Sequence, residues 1–369
     1  MFDVSTSKGY DAGKMKFVRK STNRFEFVGR TKDNYGVQGF VEKLNVQPND
    51  AGTISVSQVG AVHAQIRKNK WYSSQNIFVL NPNYKELINL LVVAAIDKIL
   101  VNYGGYSSYP TLQTLKEHKI QLPTKDGKID FEFMDACIRE LEEERIRELS
   151  AYLTVSGLDN YELSSEEKEA LDTYDSIMFG ECKFKDIFDK IRIGDLFEIK
   201  PTKAYKLTNE DLFEKNGLYP VVTNSSVNNG ITGYTNLSPT EKGNMITYSD
   251  TTTSDGIFYQ PTDYVGYSHI QGLYPLVHKE KWEYKSLMYI VTCFKKSASG
   301  RFDYGNKFNR NIAKEMSIQL PTKLPTKDGK IDFSYMELLI SAVQKLVIKD
   351  VVLYADEKIQ STKKIVKES

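Results

Sequence analysis

The sequence predicts an α+β protein of two homologous, mixed β-rich domains, joined by long antiparallel coiled-coil helices under a pseudo-two-fold axis. Three observations predict it: the chain repeats itself in order, each half reads as short strands followed by helix, and each half closes on a helix with one apolar stripe.

The repeat is the strongest of these, because self-similarity fixes an architecture before any motif does. IQLPTKDGKIDFEFM at residues 120–134 returns as IQLPTKLPTKDGKIDFSYM at residues 318–336. The extra LPTK sits in a turn, where an insertion costs least. Weaker matches run upstream in the same order: MFDVSTSKGY from Met1 with LFEIKPTKAY from Leu196, and YGVQGF ending at Phe40 with NGITGY ending at Tyr234. Tyr84-Lys85 and Tyr284-Lys285 each precede an apolar run, and Tyr106 and Tyr304 precede IQLP by the same distance. Met1 aligns with Leu196, so KFKDIFDKIRIGD at residues 183–195 has no counterpart in the first half, whose domain is expected to begin slightly trimmed. The expected division is a first domain at 1–128, a spacer helix and connector helix at 129–180, a second domain at 181–329 and a second spacer helix at 330–369.

Within each half, strand signals come first. YPVVTNSSVNNGITGY places Asn and Gly turn residues between apolar runs, and GNMITYSD, DGIFYQ and DYVGYSHI are short aromatic and β-branched runs of strand character. The apolar runs from Leu87 to Val101 and from Leu287 to Phe294 read as buried helices. Asp130 and Asp332 then stand at N-cap positions, where a carboxylate accepts from the orphan amides of a first helical turn. In the first long helix Met134, Ile138, Leu141, Ile146, Leu149 and Leu153 form the seam; in the second, Met336, Leu339, Val343, Leu346 and Leu353. Burying the two stripes on each other is the cheapest solution, and a helix of ~25 to ~35 residues spans ~37 to ~52 Å. Ser164 and Glu167 form a capping-box pattern that opens the connector helix.

Length and composition bound the rest. At 369 residues the chain exceeds ordinary single-domain size. Cys137, Cys182 and Cys293 show no CxxC pairing, the N-terminus lacks a signal-like apolar stretch, and the longest apolar run is broken by Asn89, Asp97 and Lys98; a reducing cytoplasm is the expected location. A net charge of +1 counts against nucleic-acid binding, yet bases cluster locally, as Lys8 to Lys32 and Lys285 to Arg310, while residues 132–148 are acidic. Catalytic constellations are weak. NPNY at residues 81–84 looks like the NPPY loop of adenine methyltransferases, but its counterpart is KWEY at residues 281–284. Glu181 and Lys183, with Asp172 or Asp175, are a sparse nuclease pattern, and His63, His118, His269 and His278 have no spacing for zinc or a triad. No metal and no cofactor is expected on this chain.

The order IGDLFEI, YPVVTNS with its Gly-rich turn, RFDYGNKF, IQLP, then DGKIDFSYM and a long helix resembles the specificity subunits of type I restriction-modification enzymes. DGKIDFEFM followed by SGLDNYELSSEEKEAL looks closest to the type I-like and type IIB subunits. The resemblance implies a non-catalytic subunit with two target-recognition domains reading a bipartite, asymmetric double-stranded DNA target. It implies partners too: two modification methyltransferase subunits, which carry S-adenosylmethionine and methylate adenine, and a restriction/translocase subunit where the system cleaves. One departure is GGYSSYPT around Tyr106, where the second half has RFDYGNKF.

Base edges are read by Arg, Lys, Asn, Gln and Ser/Thr, and phosphates by bases, hydroxyls and amides. On that ground the DNA-contacting candidates in the first domain are Arg30, Lys32, Asn34, Gln38, Ser57, Gln58, Gln65, Arg67, Lys68 and Lys70. In the second they are Asn224, Ser225, Ser226, Asn228, Ser249, Thr251, Thr252, Ser254, Tyr267, Arg301, Lys307 and Arg310. Tyr103, Tyr106, Tyr109, Tyr304 and Phe308 are read as core aromatics. Two other functions compete: a DNA-modifying enzyme in its own right, and a protein-binding scaffold without DNA affinity.

Overall fold

The computed structural model describes residues 1–104, 107–179, 187–251, 254–302, 305–322 and 330–368. Tyr106, Glu181, Cys182, Lys183, Thr252 and Tyr304, named above, lie outside the described residues. The chain divides into two compact units, Met1–Leu149 with Lys358–Ser369, and Ser150–Glu357.

The first unit opens with β1 (Phe2–Thr6), β2 (Gly9–Tyr10), β3 (Phe25–Val28), β4 (Val37–Val41), β5 (Thr53–Ser57), β6 (Ala64–Arg67), β7 (Trp71–Ser74) and β8 (Ile77–Pro82). Then come α1 (Leu90–Leu100), α2 (Leu112–Glu117), the small hairpin β9 (Thr124–Lys125) and β10 (Lys128–Ile129), and the start of α3 (Phe131–Val155). One sheet runs β1-β8-β5-β6 and a second β2-β7-β3-β4. The Asn89 side chain caps α1 by accepting from Leu91 N at 2.8 Å. Spacing of four then puts Val92, Ile96 and Leu100 on one face, against Ile54, Val56, Phe78 and Leu80 of the first sheet.

In the second unit α4 (Ser165–Met178) is followed by β11 (Phe188–Arg192), α5 (Ile193–Leu196), β12 (Phe197–Pro201), α6 (Asn209–Leu212), β13 (Tyr219–Val222) and β14 (Ile231–Thr235). Next are β15 (Met245–Ser249), β16 (Ile257–Gln260), β17 (Ile270–Pro275), α7 (Tyr284–Ala298), α8 (Arg310–Glu315), β18 (Ser317–Pro321) and α9 (Phe333–Glu368). Its main sheet has the order β12-β17-β15-β16, the same order as the first unit's once the repeat is aligned. The α7 residues Leu287, Ile290 and Phe294 cover Ile246, Tyr248 and Leu273, as α1 covers its own sheet. Both units are thus mixed α+β with equivalent sheets. DYVGYSHI departs from its strand reading: Tyr264, Val265 and Gly266 make isolated bridges to three separate segments, and the strand begins only at Ile270.

Both long helices start as their Asp residues dictate. Asp130 Oδ1 accepts from Phe133 N and Asp332 Oδ1 from Tyr335 N, each at 2.9 Å. In α4 the capping box is complete, with Ser164 N donating to Glu167 Oε2 at 2.8 Å and Glu167 N to Ser164 Oγ at 3.2 Å. The expected seam needs correction. Met134, Leu153, Met336 and Leu339 are buried, and Ile138, Ile146 and Leu149 half-buried, but Leu141, Val343, Leu346 and Leu353 are 42–50% exposed. In α9 the buried stripe continues through Ala342, Val352 and Ala355. A shift of one residue rotates a helix face by about 100°, and the small Ala side chains mark the close-packed side. In the first unit the end of α9 lies along α3, Lys358, Ile359 and Thr362 sharing a groove with Arg139, Glu142 and Ile146. Among the described residues no helix is long and apolar enough to cross a membrane.

Candidate nucleic-acid interface

Each domain presents a hairpin built to one plan. The β3–β4 turn carries Asn34, Tyr35 and Gly36 at φ 47°, 52° and 72°, and the β13–β14 turn carries Asn228, Asn229 and Gly230 at φ 50°, 55° and 78°. Asn tolerates this left-handed region better than most residues, and Gly does so without penalty. Asn34 Nδ2 donates to the Val37 carbonyl and Asn228 Nδ2 to the Ile231 carbonyl, both at 2.9 Å, and the register shifts in each strand that precedes the turn. Asn34 and Asn228 therefore close turns, their amide nitrogens engaged in the hairpin itself. Tyr35, 78% exposed at the tip, is a surface residue that sequence reasoning missed.

Beneath each turn one buried polar side chain ties hairpin to sheet. In the first domain it is Arg67, only 2% exposed. Its Nε donates to Ser55 Oγ at 2.8 Å, Nη1 to the Tyr35 carbonyl at 2.7 Å, and Nη2 to Gln65 Oε1. Burial pulls the guanidinium down to about 10, against the opposing charge of Glu26. In the second domain Gln260 takes this place, Nε2 donating to the Asn229 carbonyl at 3.1 Å and to Thr247 Oγ1 at 2.9 Å. Arg67 is thus removed from the groove-facing candidates: its donating nitrogens are engaged within the domain, Nη1 on the turn itself.

Other candidates are also framework residues. Ser57 is buried, accepting from His63 N at 3.1 Å and bonding the Ala61 carbonyl. Gln65 accepts from Arg67, and Gln58 Nε2 donates to the Pro110 carbonyl at 3.1 Å. Ser249 and Ser254 are buried, and Ser249 Oγ accepts from Thr251 N at 3.3 Å. Ser225 Oγ accepts from Val227 N at 3.2 Å within its own loop, and the Tyr267 hydroxyl donates to Asn209 Oδ1 at 2.7 Å.

What remains on the surface is grouped. In the first domain Lys32 and Gln38 are exposed on the hairpin with Arg30 partly so, and Lys68 and Lys70 are exposed after β6, Lys70 lying 3.7 Å from Asp50. In the second domain Asn224 Nδ2 reaches Thr251 Oγ1 at 3.4 Å, joining the hairpin to the loop after β15, with Ser226 exposed alongside. The same end of the sheet carries Asp250, which accepts from Gln271 Nε2 at 2.9 Å and lies 3.1 Å from His269 Nδ1, a cluster with no sequence signal beyond its polarity. The segment around RFDYGNKF is anchored there by aromatics: Phe308 stacks on Phe302 at 4.2 Å and packs against Tyr248 at 4.7 Å. Arg301, Lys307 and Arg310 are exposed on this platform. Burial and the charge of Asp250 push the Tyr248 hydroxyl up, and Arg310 opposes them.

NPNY is strand in its first half only, Tyr84 standing 60% exposed beyond it. Asn81 and Pro82 end β8, in register with Asp3 and Phe2 of β1. Tyr103 is half-buried with its hydroxyl 2.8 Å from His118 Nε2, and Tyr109 is 45% exposed rather than core.

Known proteins match this arrangement along its length. The Methylase_S model, Type I restriction modification DNA specificity domain, matches residues 3–151 and again 186–351. The Type II restriction enzyme BgcI specificity subunit S.BcgI of Heyndrickxia coagulans is 24% identical over 94% of this chain and 93% of that protein. The type I restriction-modification S subunit from M. genitalium superposes with a TM-score of 0.55 at 14% identity, covering 99% of this chain and 91% of the other, which shows a shared fold. With two matched copies spanning most of its length, the chain belongs to the type I restriction modification DNA specificity domain family.

Proposed function

We propose that this specificity subunit reads a bipartite, asymmetric double-stranded DNA target, one part per domain, and docks adenine-methylating subunits through its long helices. The matched family is a DNA specificity domain of type I restriction modification, which supports a role that specifies rather than catalyses. The observation that carries the finer reading is the pairing of one frame with two surfaces. The hairpin loops align residue for residue, yet Arg30, Lys32, Tyr35 and Gln38 of the first correspond to Asn224, Ser226, Asn229 and Thr232 of the second. Equal frames that carry unlike side chains favour unlike bases. In this reading residues 1–128 and 181–329 are the recognition domains, residues 129–180 and 330–369 set the gap, and S-adenosylmethionine is bound by the partner methyltransferase. The exposed stripe Val343, Leu346, Val347, Val351 and Tyr354 on α9 supports docking, since an apolar face of that length is unusual on a surface without a partner.

Sequencing of methylated genomic DNA from a host carrying the chain and its methyltransferase tests the reading. A split motif with unlike halves is expected; methylation independent of the chain, or a palindromic target, would refute it.

A further inference from the structure

At one end of the main sheet the two domains share a frame that carries different chemistry. Gln58 N donates to the Asn76 carbonyl at 2.9 Å and Asp250 N to the His269 carbonyl at 3.0 Å, with Asn76 and His269 at φ 64° and 66°. On that common backbone Gln58, Asn76 and Phe78 correspond to Asp250, His269 and Gln271. In the first domain Phe78 packs in the core and Gln58 Nε2 is taken up by the Pro110 carbonyl. In the second domain Gln271 is 3% exposed, as Phe78 is, and so brings an amide into an apolar place. Its Nε2 donates to Asp250 Oδ2 at 2.9 Å, while its Oε1 is buried with no partner among the described residues. An orphaned oxygen costs stability, and what the amide supports is the Asp250 carboxylate, whose Oδ1 lies 3.1 Å from His269 Nδ1.

That carboxylate keeps 23% of its side chain exposed and stands among polar and basic groups. The next residue, Thr251, is reached by Asn224 of the hairpin, and the charges of Asp250 and Arg310 both act on the Tyr248 hydroxyl, whose ring packs against Phe308 of the platform. On a surface that meets DNA a carboxylate is repelled by phosphate, so it belongs only where a base presents a donor. It accepts and cannot donate. Cytosine matches it alone: its one polar group in the major groove is the N4 amino donor, whereas adenine sets the N7 acceptor beside N6, and guanine and thymine present acceptors only.

Resting on the reading that this domain contacts DNA, we propose that Asp250 is a specificity-determining residue that accepts from the N4 amino group of a cytosine in the second domain's part of the target, with Gln271 and His269 holding its carboxylate in place.

The test compares the methylated motif in hosts carrying the methyltransferase with the wild-type chain or with Asp250→Asn. Asn keeps an oxygen for Gln271 Nε2, so Tm should hold, but it adds a donor and thereby suits adenine. In one half of the split motif a C·G position is expected to become A·T or degenerate, every other position staying as it was. In gel shift with the assembled complex, replacing that C·G pair by T·A should weaken wild-type binding about tenfold and binding by the Asp250→Ala chain less than about threefold. Gln271→Leu, which restores an apolar side chain at the place of Phe78, should relax the same position and no other. A split motif that Asp250→Asn leaves unchanged, abolishes, or alters at several positions or away from a C·G pair overturns the assignment while the two-domain reading stands. Absence of any split motif that depends on the chain refutes that reading itself, and the assignment with it.

Discussion

Removing the Lys345 ammonium by Lys345→Met strands a buried carboxylate and should unlock the connector helix from α9. Lys345 Nζ donates to Glu167 Oε2 and to the Glu162 carbonyl, both at 2.8 Å, and the two side chains are 19% and 6% exposed. Burial alone would raise the Glu167 carboxyl. The Lys345 and Ser164 hydrogen bonds, with Ser341 and the Lys345 charge, override it and hold it at about 2. Breaking one partner of such a pair costs about 3–5 kcal/mol, and in a unit of this size each kcal/mol is about 2–4 °C of Tm. A fall of roughly 10 °C is therefore expected in thermal unfolding followed by circular dichroism. Adding Glu167→Gln should recover most of it, because the amide oxygen still accepts from Ser164 N. The pH dependence has a definite sign. The folded carboxyl sits below its unfolded value, so its contribution is present above about pH 4.5 and fades as pH falls toward 2. In Lys345→Met burial dominates, the carboxyl titrates higher, and the gap to wild type narrows on acidification. A loss under 1 kcal/mol, or a gap unchanged between about pH 7 and pH 4, would refute the reasoning.

Reversing Arg301 and Lys307 to Glu should weaken DNA binding in gel shift while leaving assembly with the methyltransferase intact, because both side chains are exposed on the aromatic platform; equal loss of both activities would contradict the role. Lys32→Ala should leave the unfolding free energy within about 0.5 kcal/mol of wild type and lower the salt slope of DNA binding by about 1, as loss of a phosphate contact does. Val347, 73% exposed on α9, tests docking: Val347→Glu should abolish co-purification of the methyltransferase without shifting the unfolding midpoint.

The duplicated frame was legible because its markers are local. Asp before a helical run, Asn-Gly at a hairpin tip and a long apolar run each follow from neighbours along the chain, and Asp130, Asp332, Gly230 and α1 take the expected places. What sequence could not show depends on long-range partners. Arg67 looks like a surface base until the Tyr35 carbonyl and Ser55 are brought to it. The α9 stripe was rotated because Ala342 and Ala355 carry little hydrophobic signal yet occupy the buried side. The Asp250, His269 and Gln271 cluster joins two strand ends far apart in sequence.

The exchange of Arg67 for Gln260 means that the hairpin surface and the sheet beneath it change together. Arg offers donors only, and in the first domain it finds acceptors in Tyr35, Ser55 and Gln65. Gln260 offers both senses, and its Oε1 lies 3.3 Å from Asn229 Nδ2, which also donates to the Tyr259 carbonyl at 2.8 Å. Grafting residues 224–232 in place of residues 30–38 would set the Asn229 amide against the Arg67 guanidinium, donor against donor. The graft alone should lose about 1–3 kcal/mol, the cost of an unsatisfied buried donor. Arg67→Gln in the grafted chain should return most of that, and only then should the methylated motif show the second domain's bases in its first half. A graft as stable as wild type with Arg67 in place would mean that the buried side chain follows the loop passively, and that the two surfaces evolve free of the frame.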